Sequence, residues 1–168
     1  MKKLYFLIIP VFAILLWFSP KLVFAEQINN YLVDIKLHSD SSIEVSERII
    51  YDFGDLERHG IFRNIPYRYK NDTGKFNLRF SDFVVNDENG QALKFSKARV
   101  GDDIQLKIGD ADKYVTSVKE YVISYKVKRA VNYFEDHEEL YWNAIGGGWT
   151  VPILKSQVVI KTPGNVIN

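Results

Sequence analysis

Apolar and polar residues alternate along most of this chain with a period of two, the spacing of side chains that project to opposite faces of a β-strand. Tyr31, Val33, Ile35 and Leu37 fall on one face, with Asp34 and Lys36 opposite. After the turn-forming run Ser39-Asp40-Ser41-Ser42 the alternation resumes at Ile43, Val45, Ile49, Tyr51 and Phe53, with Glu47 out of place on the apolar face. These two runs predict an antiparallel hairpin. Phe76, Leu78 and Phe80 share another face, and the phase shifts at Ser81-Asp82 before Phe83 and Val85, which predicts a bulge or a strand end. Asn89-Gly90 is a tight-turn signal between Phe83–Asn86 and the pair Leu93 and Phe95. Gly101-Asp102-Asp103 turns into Ile104, Leu106 and Ile108, and Gly109-Asp110-Ala111-Asp112 turns again. Tyr121, Ile123, Tyr125 and Val127 form the most regular strand, with Lys126 and Lys128 facing out. Val158 and Ile160 mark a last short strand before Pro163-Gly164.

About eight or nine strands at spacings of roughly ten residues, with abundant Tyr and Phe, predict an all-β fold: an antiparallel β-sandwich of immunoglobulin-like size. Glu135–Tyr141 is the one segment of the body with helix-compatible composition, enough for a turn or two. Two regions are too rich in Gly, Pro, aromatic and charged residues to read as simple strands. The first is Arg58–Tyr69; the second runs from Glu135 through Trp142 and Gly146-Gly147-Gly148-Trp149 to Ile153. Loops that carry several large aromatic residues beside charges order themselves by packing inward.

The start of the chain sets where this sheet-built body works. Lys2 and Lys3 precede an apolar run from Leu4 to Phe18, and Val23-Phe24-Ala25 offers a small-residue cut site after Ala25. This is the layout of a secretory signal peptide; the alternative is a retained N-terminal membrane helix over residues 1–25. Residues 26–168 then form one extracytoplasmic domain, long enough for a substantial core. Three of the 22 Lys+Arg lie in the first 25 residues, leaving 19 against 21 Asp+Glu, a net charge near −2. That balance excludes the concentrated basic surface of a nucleic-acid-binding protein. The chain has no cysteine, so disulfides, thiolate metal sites and Cys nucleophiles are excluded, and burial alone must hold the domain together.

Few residues suggest chemistry. Asp110 and Asp112 sit in a Gly-containing turn with Asp102-Asp103 nearby in sequence, but the Asp-x-Asp-x-Asp-Gly run of a calcium loop is missing, and Asp favours such turns for local capping. His137-Glu138-Glu139 lacks the second His of a zinc-protease helix, and His38, His59 and His137 are far apart in sequence. No metal or other cofactor is expected. The chain has no Gly-x-Ser-x-Gly elbow, and Gly146-Gly147-Gly148 lacks the following Lys-Ser/Thr of a phosphate loop. Tyr141, Trp142 and Trp149 with Tyr67 and Tyr69 offer an aromatic platform for a sugar or peptide, or else pack as core. Arg63 and His59 are expected to pair with Glu138, Glu139 or Asp112, locking the two unusual regions together through an Arg–carboxylate fork.

Five segments occur in a specific order: His59-Gly60-Ile61-Phe62-Arg63, Ile108-Gly109-Asp110-Ala111-Asp112, the strand Tyr121-x-Ile123-x-Tyr125-x-Val127, Glu139-Leu140-Tyr141-Trp142-Asn143, and Trp149-x-Val151-Pro152-Ile153. In this the chain resembles, from about Ile28 to its end, the extracytoplasmic N-terminal domain of the YciQ-like predicted membrane proteins, a bacterial family of unknown function. The resemblance implies a secreted β-domain with a non-enzymatic or unassigned role and supplies no catalytic residues. Members of that family continue into membrane helices and a cytoplasmic, often Gly-rich tail, whereas this sequence stops at Asn168; a short secreted relative or a truncated one is expected, with a last strand that lacks a partner. The expected function is a non-enzymatic binding or interaction module at the bacterial cell envelope, whose partner is an envelope protein or glycan. The alternatives are a carbohydrate- or peptide-binding module and an envelope hydrolase with a carboxylate site. The residues expected to bind a ligand or order the loops are His59, Arg63, Asp110, Asp112, Glu139, Tyr141, Trp142, Asn143 and Trp149.

Overall fold

The computed structural model describes residues 26–71 and 74–164; the expected signal segment 1–25 lies outside the described residues. Among the described residues twelve strands follow one another: β1 (Gln27–Leu37), β2 (Ile43–Asp52), β3 (Gly60–Pro66), β4 (Arg68–Asn71), β5 (Gly74–Asn77), β6 (Arg79–Asn86), β7 (Phe95–Val100), β8 (Asp103–Gly109), β9 (Val118–Lys128), β10 (Val131–Tyr133), β11 (Glu138–Leu140) and β12 (Ser156–Lys161). The all-β sandwich expected from the alternation is what the chain forms.

A five-stranded sheet carries the order β12-β1-β2-β9-β6, and a three-stranded sheet the order β3-β8-β7. Two short ladders, β4-β5 and β10-β11, flank them. The β1–β2 hairpin places Ile35 opposite Val45 and Tyr31 opposite Ile49, so the apolar faces of both strands coincide. Strand β9 continues that face, with Val45 against Tyr125 and Ile49 against Tyr121. The three-stranded sheet answers with Ile61 and Ile65 from β3 and Ile104, Leu106 and Ile108 from β8, all buried. These side chains and those of the larger sheet form one core. The phase shift read at Ser81-Asp82 is a bulge between Ser81 and Val84 in the β6–β9 ladder, with Asp82 at φ 55°.

Four expectations need correction. Arg58–Tyr69 is not mainly a loop: Gly60–Pro66 is a regular strand, registered residue for residue against β8. Its identity was hidden because Gly60, Arg63 and Pro66 break the usual strand composition. Gly60 and Gly109 face each other in that ladder, each at φ 130°, and a Cβ on either would overlap the carbonyl of the opposite strand. Both glycines of the two motifs are thus required by close backbone approach. Next, Glu135–Tyr141 forms no helix; Glu138–Leu140 pairs with Val131–Tyr133 as a short hairpin. The sandwich also departs from the antiparallel rule at one edge, where β12 runs parallel to β1. The last strand therefore has a partner, with Val33 opposite Val158 and Ile35 opposite Ile160.

Candidate functional site

Glu47 breaks the apolar face of β2 and is completely buried. A carboxylate removed from water must be paired and hydrogen-bonded to be tolerated. Its partner is Arg63, at the centre of β3 and 1% exposed, reaching across the core from the smaller sheet. The guanidinium engages the carboxylate as a two-point fork: Nε donates to Oε2 at 2.7 Å and Nη2 to Oε1 at 2.9 Å. Two phenols complete the carboxylate. Tyr31 donates to Oε2 and Tyr125 to Oε1, each at 2.5 Å, so Glu47 accepts four hydrogen bonds. That fills the acceptor capacity of both oxygens.

The rest of the guanidinium is equally enclosed. Nη1 donates to the Asn64 carbonyl at 2.6 Å, and the cation lies 5.7 Å from the Tyr31 ring centroid and 5.8 Å from that of Trp149. Trp149 meets Tyr31 edge to face at 5.7 Å and donates its indole N–H to the Ile145 carbonyl. Gly146, at φ 78°, lies against the same group: a Cβ there would stand 2.6 Å from Nη1. The Gly-rich stretch is therefore a lid on the guanidinium, shaped by the lack of a side chain. Burial opposes the charge of Arg63, but Glu47 beside it outweighs burial and holds its pKa above the ordinary value. Burial first, then the negative charge of Glu47, pushes both Tyr31 and Tyr125 well above the usual phenol range. Arg63, Tyr31 and Tyr125 therefore keep their protons at neutral pH, and the centre clamps the two sheets.

The expected pairing of Arg63 with Glu138, Glu139 or Asp112 is replaced by this contact with Glu47. His59 makes no ion pair with those residues either: its Nδ1 lies 3.0 Å from the Lys113 carbonyl and its ring stacks on Tyr114 at 4.3 Å. Asp110 accepts from Lys94 at 2.7 Å and from the Asp112 backbone N–H at 3.1 Å, and these contacts hold its carboxyl below the usual range. Asp112 is an exposed member of that capped turn. Among the described residues, no three His, Cys, Asp or Glu side chains gather as metal ligands. Glu139 is exposed on β11 beside Asn132. Asn143 caps the Gly146 backbone N–H through its Oδ1 at 2.9 Å, so it orders the lid. Trp142 packs its ring on Phe80 and Tyr125, and Tyr141 lies edge-on to Tyr69 with half its surface exposed. Of the nine anticipated residues, Arg63, Asn143 and Trp149 belong to one assembly, and Glu47, Tyr31 and Tyr125 are the members sequence reasoning left out. The signal for Glu47 was its charge on a core face.

Among the described residues, clefts open to solvent, and two of them are lined by named side chains. The larger, about 430 Å³, is lined by Tyr67, Leu78, Arg79, Phe80, Lys97, Ala98, Arg99 and Ile104. The second, about 340 Å³, lies on the polar face of the larger sheet, where Lys126 stands 3.4 Å from Glu44 and 3.8 Å from Asp82, and Lys161 4.0 Å from Asp34. Neither Glu47 nor Arg63 lines these clefts.

Together these features define an all-β sandwich domain whose sheets are joined by a buried ion pair. Residues 27–168 match the model of the family described as Predicted membrane protein (DUF2207) N-terminal domain, and the chain belongs to that family, in line with the YciQ-like resemblance of its motifs. No curated protein matches the chain. Among solved structures it is similar to yeast LTA4 hydrolase, with 10% identity and a TM-score of 0.43 over 62% of this chain and 15% of that one. It is also similar to an M1 zinc metallopeptidase from Deinococcus radiodurans, with 7% identity and a TM-score of 0.38 over 62% and 20% of the two chains. A non-cellulosomal cohesin from the hyperthermophilic archaeon Archaeoglobus fulgidus gives 13% identity and a TM-score of 0.37 over 84% and 93%. The chain spans less than a quarter of the length of either of the first two.

Proposed function

We propose that this domain is a non-catalytic binding module, exported from the cytoplasm and acting at the cell envelope. The observation that carries the reading is the fate of the strongest polar constellation in the fold. Glu47, Arg63, Tyr31 and Tyr125 saturate one another inside the core, which builds a rigid scaffold and leaves none of them to accept or deliver a substrate proton. What faces solvent is of the kind that holds a ligand: cations and aromatic rings on edge strands and loops of a stiff sandwich.

The two alternatives draw less support. A sugar platform needs an exposed row of rings, but Trp142 and Trp149 are half-buried, packed on Phe80, Tyr125 and Tyr31. A glycoside-type hydrolase needs a carboxylic acid with a raised pKa. In the second cleft, desolvation nudges Glu44 upward, but hydrogen bonds from Lys126 and His38 outweigh it and leave Glu44 below its ordinary value. The test is to incubate the purified protein with isolated bacterial envelopes, then measure its retention in the pellet and the release of soluble fragments. Retention without release is expected. Release of product would overturn the non-catalytic reading, and failure to pellet would overturn binding.

A further inference from the structure

We propose that the cleft between the free edges of the two sheets is an anion site that takes a phosphate-bearing ligand; the proposal rests on the binding-module reading and names its ligand chemistry. Strand β7 is the outer strand of the smaller sheet and β6 the outer strand of the larger one, and the 430 Å³ cleft has residues of both on its walls. That volume is within the range of about 300–1,000 Å³ typical of small-ligand sites. In the β7–β8 ladder Lys97 stands opposite Leu106 and Arg99 opposite Ile104, and both of those β8 residues are buried in the core. Lys97 and Arg99 therefore occupy core-facing positions of an edge strand, where the alternation calls for apolar side chains. Arg79 on β6 also lines the cleft, but it stands opposite exposed Lys128 on the outer face of the larger sheet.

Among the described residues, these cationic side chains have no ion-pair partner: Arg79, Lys97 and Arg99 have no carboxylate within ion-pair distance, whereas neighbouring Arg68 is paired with Asp102 at 3.1 Å. This local excess arises in a domain whose net charge is near −2. Aromatic faces hold the cations in place: Lys97 Nζ lies 4.6 Å from the Phe83 ring centroid, and the Arg99 guanidinium 5.3 Å from that of Tyr67. Tyr67 is further fixed by Arg68, which donates to its hydroxyl at 2.9 Å. A cation set in advance loses less side-chain freedom when an anion arrives. A single carboxylate neutralises one such charge; a phosphomonoester or successive phosphodiesters neutralise two or more, and arginine forks match phosphate oxygens geometrically. An inward-pointing lysine on an edge strand also blocks strand addition. One charge serves that purpose, and the core-facing pair Lys97 and Arg99 on one strand exceeds it.

The experiment compares the purified protein with Lys97→Gln/Arg99→Gln, with Arg79→Gln as an independent variant on the other wall, and with Lys107→Gln as a control of like charge change on an exposed β8 position outside the cleft. Two probes separate the sources of phosphate: soluble inorganic polyphosphate, followed by calorimetry, and vesicles of phosphatidylglycerol in phosphatidylcholine against phosphatidylcholine alone, followed by co-sedimentation. Binding to at least one probe is expected, weakening as salt rises from about 50 to 300 mM. The double variant should lose at least about tenfold in affinity, Arg79→Gln severalfold, and Lys107→Gln less than about twofold. Vesicle binding alone assigns a lipid headgroup, and polyphosphate binding alone a soluble polyanion; both together assign the phosphate group itself. The proposal is overturned if neither probe binds, or if the cleft variants match Lys107→Gln while their melting curves remain those of the parent. A protein that pellets with envelopes yet ignores both probes removes this inference alone; one that does neither removes the reading beneath it.

Discussion

Replacing Arg63 with methionine keeps most of the side-chain volume and removes the charge, leaving the Glu47 carboxylate fully buried with only Tyr31 and Tyr125 to serve it. Breaking a buried pair from one side costs about 3–5 kcal/mol, because the remaining ion keeps its desolvation penalty and loses its counter-charge. For a domain of this size each kcal/mol lowers the melting temperature by a few degrees, so a fall of roughly 10–20 °C is expected. A typical domain stability of about 5–15 kcal/mol leaves the variant folded enough to measure. Glu47→Gln should cost a similar amount, since it strands the guanidinium. The combination Glu47→Gln/Arg63→Met strands neither charge, and its cost should fall short of the sum by at least about 2 kcal/mol. Urea unfolding of the four proteins, with free energies extrapolated linearly to water, closes the cycle. Single losses below about 1 kcal/mol, or additivity to within about 0.5 kcal/mol, would refute the assignment of this contact as the clamp between the sheets.

Other outcomes follow from the same geometry. Gly146→Ala should destabilise the parent both through the strain of its φ of 78° and by pushing on Nη1 of Arg63, and only the second part should vanish in the Arg63→Met background; equal effects in both would show that the lid does not act through the guanidinium. Gly60→Ala and Gly109→Ala meet opposite backbone rather than a movable side chain, so each should cost more than the ~1–3 kcal/mol of backbone strain alone, read as loss of soluble yield or a lowered urea midpoint. Tyr31→Phe and Tyr125→Phe each remove a hydrogen bond to a charged acceptor and should cost about 1.5–3 kcal/mol in the same unfolding assay. Burial first, and Glu26 after it, pushes Tyr51 up to about 12, while Tyr31, Tyr121 and Tyr125 are also raised. These phenols keep their protons in the folded protein where the unfolded chain, titrating near 10, releases them. Their contribution is complete below pH ~10 and is lost as pH climbs from there through 12 and above. Absorbance near 295 nm should therefore show them ionising together with unfolding, and early independent ionisation of the whole set would contradict their burial.

The fold was legible wherever one face of a strand is uniformly apolar. Strands β1, β2, β8 and β9 announce themselves in this way, and the Ser81-Asp82 phase shift located its bulge. Strand β3 escaped notice because the fold spends its core position on Arg63 and one of its ends on Gly60, so alternation and composition disagree there. The hairpin of β10 and β11 is too short, at three residues a strand, for a period of two to register. Parallel pairing of β12 with β1 depends on where a long connection returns, which local patterning does not encode. Arg63 is expected from the sequence to form a fork, while Trp149 and Asn143 are expected either to bind a ligand or to order the loops. The acid was assigned to the wrong region because proximity in composition, two loops each rich in charge, stood in for proximity in space. A charge on the apolar face of a strand is the better guide, since only a counter-charge inside the core makes it tolerable.

The same side chain serves opposite ends in this domain, and the difference lies in what surrounds the charge. Arg63 is enclosed on every side, and its positive charge is matched inside the core by Glu47; removing either partner leaves an ion where water cannot reach it, so the pair is bound to structure. Arg79 and Arg99 stand at the open edge, where solvent bears the cost of an unmatched cation and no acid among the described residues pairs with it. An ion of the first kind has no affinity left to offer. One of the second kind retains it, held in orientation by Tyr67 and displayed by a sandwich that the first kind keeps rigid. Stiffness from the buried pair is thus what makes the edge charges useful: cations on a mobile strand would lose to ordering entropy what they gain from an anion. Scaffold and cleft are separate in their chemistry and joined in their energetics.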